Sequence, residues 1–414
     1  MSMKEETTER DKRCAQSQSD QSPEDEDRIS RLPTELLVHI LSFLNLKEAA
    51  RTGVVSKCWL GLWTLADVPL DFDGRRRRIN IPRNPIPPLV EWVNKVVRSY
   101  QATAIDVFRI CFELDKYSQA DIDEWLEYAF GRRVLSLELN FLRDGLAYYH
   151  IAGAYRFPCI RIIDDEEEES VKVSAETVDL LINRFHSLEH LALYNSWSRD
   201  LSSLLVCGSS SLKSLELIAC ESLNSIILRD TCLVSLKFDR LEFLVLENFP
   251  LLVDVWAVGW KLDLIIPQLT ALQSSLEVLT LGHSYFSVTA RQSSPNLEKF
   301  VLKWKWDEYS RSKRKFEKVS GLPLRRLKVV EIHGYTGRRA DDEVVMYIVE
   351  NSSSALQRLV LDPHCRPMDF FPLRGKHAMV NMAKIRAEKL SKGIRARKLL
   401  DQGLPTSSVE LVIL

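Results

Sequence analysis

His186-x-x-x-His190 is the nearest approach to a metal-ligand pair in this 414-residue chain. Two histidines four apart face the same way on a helix, where they can share a zinc ion. Here the stretch straddles a change from helical to strand-like spacing before Leu191, so the pair is expected to diverge and zinc is not expected. His364-Cys365 follows Pro363 in a predicted loop with no third ligand beside it. The acidic run at 165–169 reads as a solvated loop, with a docking patch for a basic segment as the sharper alternative. The chain contains no GxGxxG, phosphate-binding glycine loop, GxSxG, HExxH or zinc-spaced cysteines. No catalytic residue, metal or cofactor is therefore expected.

The bulk composition narrows the class further. Hydrophobic residues make up 45% of the chain, enough for a folded core, and the formal net charge is -1. That balance lacks the broad basic field a nucleic-acid or anionic-membrane partner requires. Residues 1–27 are polar and charged, are expected to be a disordered tail, and lack the apolar core of a secretory leader. The most apolar window, 251–266, is interrupted by Asp254, Lys261 and Asp263, so no membrane span is expected. The eight cysteines are scattered without a CxxC, which suits reduced thiols in cytosol or nucleus. The length suggests two or three units or an elongated array.

A helix is predicted over 32–44, with Pro33 in its first turn. At 100° per residue, Leu32, Phe43, Leu36, Ile40, Leu44, Leu37 and Leu41 spread over roughly 180°. Asn45 with Glu48 forms a capping-box start for a second helix. Ser56 can cap a third that carries Trp59 and Trp63. Units below about 40 residues rarely fold alone without a staple. The surplus apolar surface must meet another protein or the rest of this chain.

The run from Ile29-Ser30 through Leu32-Pro33, Glu35-Leu36-Leu37, Ile40-Leu41-Ser42-Phe43-Leu44, Val55-Ser56-Lys57, Trp59 and Leu62-Trp63 to Leu70-Asp71-Phe72-Asp73 resembles the F-box of plant F-box proteins. It departs from the family at Asn45-Leu46, Gly53 and Cys58. The resemblance implies that these helices pack against the Skp-type adaptor of a cullin–RING ubiquitin ligase. It carries adaptor contact over to Leu32, Pro33, Leu36, Leu37, Ile40, Leu41, Leu44, Val54, Val55, Trp59 and Trp63. Arg75 to Arg78 and a proline-rich stretch follow, read as a solvated, stiff connector with nuclear import as the alternative.

From Leu89 onward short apolar strands alternate with helices or turns. Helices are expected near 89–97 and 122–129, and strands at 104–112 and 134–139. A Leu-x-x-Leu-x-Leu pattern then recurs at Leu188, Leu212, Leu233, Leu241, Leu276, Leu297, Leu327 and Leu356, at leucine-rich-repeat spacing. Around Leu223-Ile226-Leu228 the rungs are too short for a return helix and are expected to turn back by loops. Each unit has one apolar edge and buries it only by stacking on its neighbours. The fold class expected is α/β: a three-helix F-box followed by an irregular leucine-rich-repeat solenoid with a parallel sheet on its concave side. Outward positions on that sheet, Tyr194, Lys213, Glu216, Lys299, Lys303 and Lys305 among them, are target-contact candidates. Trp304 and Trp306 share the parity of Phe300 and Leu302 and are expected to face inward.

The stretches Leu327 to Ile332, Asp342 to Asn351 and Leu356 to Leu361 resemble the FBD region of plant proteins. A basic helix is expected over 380–400, and a closing strand over 409–414 that covers a sheet edge. The expected division is a tail at 1–27, F-box at 28–73, connector at 74–88, repeats at 89–320 and an FBD-like cap at 321–414. The resemblance implies a non-catalytic substrate receptor that joins adaptor, and through it cullin, to a target protein. The alternatives are a receptor sensing a hormone or small ligand, and a scaffold outside ubiquitin transfer.

Overall fold

The computed structural model describes residues 29–54, 56–74, 86–112, 114, 118–141, 187–194, 203–220, 223–259, 262, 265, 275–283, 287–289, 296–304, 315–317, 324–335, 339–352, 355–362 and 409–414. The arginine run at 75–78, the acidic run at 165–169, His186, Trp306, His364-Cys365 and the expected helix at 380–400 lie outside them, as does the side chain of Trp304. The chain forms two compact units, one of Met1–Phe141 with Arg184–Leu191, the other of Leu142–Asn183 with Ala192–Leu414.

In the first unit, helix α1 spans Thr34–Ser42, slightly shorter than its apolar run. Pro33 precedes it, and its carbonyl accepts the N–H of Leu36 at 3.0 Å and of Leu37 at 3.1 Å. Helix α2 (Leu46–Arg51) begins with the capping box expected from sequence. Asn45 accepts the Glu48 N–H at 3.0 Å, and the Glu48 carboxylate accepts the Asn45 N–H at 3.4 Å. The expected third helix is instead two separate 3-10 turns, Lys57–Trp59 and Leu62–Thr64. Ser56 does cap the first by accepting the Cys58 N–H. Gly61 then adopts a left-handed conformation, φ 74°, which ends the run before a helix can propagate.

A hydrogen-bonded seam continues the chain from these turns. The N–H groups of Gln101 and Ala102 both donate to the Thr64 carbonyl, at 2.7 and 3.0 Å. The Tyr100 hydroxyl donates to Ala66 at 2.8 Å and Val68 at 3.2 Å. Helices α3 (Ile86–Ser99) and α4 (Gln119–Phe130) pack together. The Trp125 indole donates to Asn94, whose amide donates to Asp121. Strands β1 (Leu70–Asp73), β2 (Val107–Cys111) and β3 (Ser136–Asn140) lie parallel and adjacent. Phe72 meets Trp92 edge-on at 5.0 Å and Phe108 at 6.1 Å, so one side of this small sheet is filled by aromatic rings.

Cys111, Cys207, Cys220 and Cys232 are free.

Strand β4 (His190–Tyr194) falls where the chain passes into the second unit. Thereafter short strands alternate between two sheets. β5 (Ser203–Cys207), β7 (Ser225–Arg229) and β9 (Phe243–Glu247) form a three-stranded parallel ribbon. β6 (Ser214–Ile218), β8 (Ser235–Asp239) and β10 (Asp254–Val258) belong to the main sheet. That sheet continues through β11 (Val278–His283), β13 (Lys299–Trp304), β15 (Val329–His333), β16 (Arg358–Asp362) and β17 (Glu410–Ile413), all parallel. A minor pair, β12 (Ser287–Thr289) and β14 (Lys315–Glu317), sits apart from it. Helix α5 (Arg339–Ser352) connects β15 to β16.

The leucine pattern explains this register. The first leucine of each motif, such as Leu212, Leu233, Leu276, Leu327 and Leu356, is buried in the turn before its strand. The next two fill the core from alternate strand positions, as Leu215 with Leu217 and Leu359 with Leu361 do. Two expectations need correction. The motif at Leu241-Leu244-Leu246 does not make a main-sheet rung, because it carries β9 of the ribbon. The rung that follows β8 is β10, whose inward pair is Val255 and Ala257, too small to stand out as a repeat. The short coils accordingly turn back through strands, not bare loops.

The corners after β5 to β9 share one backbone conformation. Gly208, Ala219, Asp230, Arg240 and Asn248 each follow a strand and each has a left-handed φ between 51° and 68°. A backbone turn at that point lets the corner amide reach the next coil: Gly208 donates to Arg229, Asp230 to Glu247 and Arg240 to Val258. Ala219 donates to the Asp239 carboxylate at 2.7 Å instead.

Candidate functional site: a bare helix stripe and a self-paired sheet face

The wide apolar arc of α1 splits into two stripes. Taking Leu36 as zero, Ile40 and the C-cap Phe43 project within about 40° of it, whereas Leu37 and Leu41 project at about 100–140°. The second stripe faces the turn Leu62–Thr64, and Leu37 and Leu41 are buried there with Leu46, Ala49, Trp59 and Leu62. Trp59 is anchored by its indole N–H, which donates to the Ser30 hydroxyl at 2.8 Å. Among the described residues the first stripe stays at the surface: Leu36 is 48% exposed and Phe43 76%. Ile29, Val54 and Leu60 add further exposed apolar surface, Val54 at 89%.

The candidate adaptor residues therefore fall into groups. Leu32, Pro33, Leu36, Ile40 and Val54 lie at the surface. Leu37, Leu41 and Trp59 lie inside the domain, and Leu44 and Trp63 are half-buried. Val55 lies outside the described residues. Phe43, Ile29 and Leu60 are as bare as any and were not among the candidates. The helical wheel already placed Phe43 beside Leu36, so that signal was available.

Outward positions of the sheets carry cross-strand charge ladders. In the first unit Arg109 bonds Glu138 at 2.7 Å and Asp71 at 3.3 Å, residues its register brings opposite it. Burial works against the charge on Arg109, and the two carboxylates more than offset it. In the second unit the Tyr194 hydroxyl donates to Glu216, and Lys237 bonds the same carboxylate at 2.6 Å. Beside them Ser235 donates to Asp254, whose acid group burial pushes up. Tyr194 and Trp256 close over Ile218 and Ala219, an apolar cluster on a face expected to be open.

A second ladder lies on β13, β15 and β16. Lys299 pairs with Glu331 at 2.8 Å. His333 sits between Glu331 and Asp362, at 3.3 Å from each. Burial opposes the charged imidazole, but the bonds to Asp362 and Glu331 prevail and raise its pKa to about 9. The bond from His333, joined by Lys299, holds Glu331 down to about 2. Lys303 stands opposite His333 in register, Lys213 lies in the turn before β6, and Lys305 is outside the described residues. Tyr194, Glu216 and Lys299, proposed from sequence as target contacts, thus already satisfy partners of this chain. His190 is on a strand, and no group of three or more potential ligands is placed to hold a metal among the described residues. No helix among them is long and apolar enough to cross a membrane.

Comparison with known families fits this geometry. The F-box domain model matches residues 29–68, the segment of the two stripes. The FBD model matches residues 322–361, which covers β15, α5 and most of β16. The chain carries an F-box and an FBD. It is similar to F-box/FBD/LRR-repeat proteins of Arabidopsis thaliana, one 39% identical over 133 residues, which is 32% of this chain and 27% of the relative. Another is 26% identical over 218 residues, 47% of this chain and 46% of the relative. An F-box protein of the same plant is 30% identical over 224 residues, 53% and 63% of the two chains. The matched stretches thus span less than two thirds of these relatives' own length. The large parallel sheet with its leucine-spaced rungs agrees with the LRR-repeat part of their names.

Proposed function

We propose that this protein is the substrate-recognition subunit of a Skp–cullin–F-box ubiquitin ligase. The observation that carries the proposal is the stripe of Leu32, Leu36, Ile40 and Phe43, left uncovered on a segment that matches the F-box. Covering those side chains would contribute roughly 1.5–3 kcal/mol each before ordering losses, enough for a firm complex. Leu37, Leu41 and Trp59 support the contact from behind by holding α1 in place.

On this reading the chain performs no chemistry of its own. A target held on the repeat and FBD unit is brought near the E2 thioester carried by the RING subunit. Tethering raises the effective concentration of target lysines, commonly to about millimolar. The self-paired charges on β6, β8, β13, β15 and β16 make a rigid face whose partner must complement its shape more than supply counter-charge.

The test is co-purification of a Skp-type adaptor with the full chain. Leu36→Asp with Ile40→Asp places two charges in the bare stripe, away from the packed one. Adaptor capture is expected to vanish while circular dichroism and thermal unfolding stay as in the wild type. Undiminished capture would refute the assignment.

A further inference from the structure

Strand β17 is the last strand of the main sheet, lying parallel to β16 with Leu411 opposite Leu359 and Ile413 opposite Leu361. The Glu410 N–H donates to the Gln357 carbonyl at 2.8 Å, and the Leu414 N–H to that of Leu361 at 3.2 Å. Successive residues of a strand aim their backbone groups to opposite sides, so Leu411 and Ile413 present theirs away from β16. Among the described residues no strand takes those groups up.

The side chains report the same open end. On β15 and β16 the core-facing pairs, Val330 with Ile332 and Leu359 with Leu361, are buried. Their counterparts on β17, Leu411 and Ile413, are only half-buried, as is Val412 on the opposite face. Leu414 is 48% exposed. Exposed edges are ordinarily guarded by lysine, proline or a bulge. β17 has no lysine or proline, and its register with β16 runs unbroken. Its one charge, Glu410, leans back towards Arg358 at 3.6 Å.

Such an edge fits a second copy of itself. Two identical strands related by a two-fold axis meet antiparallel. With the axis beside Val412, that residue faces Val412 of the second copy, Leu411 faces its Ile413, and Glu410 faces its Leu414. The outward amides and carbonyls of Leu411 and Ile413 then find partners. Apolar side chains meet at the open end of each core, and no like charges oppose. Both surfaces of the contact are known from this one strand.

We propose that the chain self-associates through β17, two copies joining their main sheets edge to edge at Val412. A pair of such short strands lies well below the roughly 1,600 Å² of a standard stable interface, so it forms and parts with concentration. The pairing does not depend on the adaptor reading. Under that reading it would put two target faces in one particle, and a target with two recognised segments would be held by both.

Sedimentation of the full chain between about 1 and about 100 μM tests it, a range centred on a dissociation constant near ~10 μM. The wild type is expected to pass from monomer to dimer over that range. Val412→Lys and Val412→Glu each set like charges opposite each other, and each should weaken self-association by about tenfold or more. Val412 is half-exposed, so neither change should disturb the fold, and circular dichroism checks this. Mixed in equal amounts, the two variants should dimerise again, since lysine then faces glutamate. Ile413→Pro removes an outward N–H without touching the bonds to β16, and should stay monomeric. A wild type that remains monomeric at the highest concentration overturns the inference. So does a lysine–glutamate mixture that fails to associate, or an Ile413→Pro chain that still dimerises.

Discussion

Trp59 donates its indole N–H to the hydroxyl of Ser30 across 2.8 Å, tying the turn Lys57–Trp59 to the segment that leads into the first helix. Both residues are buried, so neither group has water as a substitute. Ser30→Ala leaves the indole N–H unsatisfied and is expected to destabilise the first unit by about 1–3 kcal/mol. Trp59→Phe combined with Ser30→Ala removes both partners and should cost less than the sum of the single changes. A double-mutant cycle in urea checks this; strict additivity would show that the bond does not couple them.

The two stripes of α1 should separate stability from docking. Leu41 is 0% exposed, and Leu41→Ala is expected to cost about 2–5 kcal/mol through lost burial and a residual cavity. Leu36→Ala, on the bare side, should stay within about 0.5 kcal/mol in the free chain. Thermal melts of the two variants should therefore diverge. Equal melts would place Leu36 in the core as well.

The His333 ladder predicts a pH-dependent stability in the second unit. The imidazole pKa is raised to about 9, so its contribution is complete below the ordinary histidine value and is lost as pH rises through about 9. Glu331 is lowered to about 2, so its contribution is present above the ordinary carboxylate value and is lost as pH falls towards about 2. Stability from this cluster is therefore greatest between those ordinary values, and it declines on the alkaline side. His333→Gln should flatten the alkaline decline. The melting temperature from pH ~6 to pH ~10 reads it, and an unchanged slope would remove His333 as the cause.

Gly208 isolates the contribution of a corner. It has φ 68°, and a Cβ placed there meets nothing within 4 Å. Gly208→Ala is therefore a test of backbone strain alone, expected at about 1–2 kcal/mol. Gly208→Asn should cost less, since asparagine visits this region more readily. Urea midpoints rank the three, and an alanine variant as stable as the wild type would show that the corner relaxes.

The apolar arc of α1, the Asn45–Glu48 box and most main-sheet rungs were legible because each depends on residues close in sequence. Which side of the arc would be covered was not. Leu37 and Leu41 go inside because the chain returns through Leu62, and that return depends on Gly61 breaking the third helix. β10 escaped notice because its inward pair, Val255 and Ala257, carries none of the leucines that mark the other rungs. The charges on Lys299 and Glu216 looked available for a target because their partners, Glu331 and Lys237, lie one coil or more away. Spacing along a chain shows which residues face outward, but not which of them meet each other there.

The corner amides have a consequence for how such a molecule can change over generations. At most of these corners the residue after the strand passes its amide to a carbonyl of a following coil, so the lattice accepts a new member most readily as a complete loop of backbone. A duplicated span that carries one corner, one leucine turn and one strand would slot in with every donor still matched. A single inserted codon inside a strand would instead swap its oily and wet sides. Length is therefore free to drift in whole coils, while the frame within each coil is not.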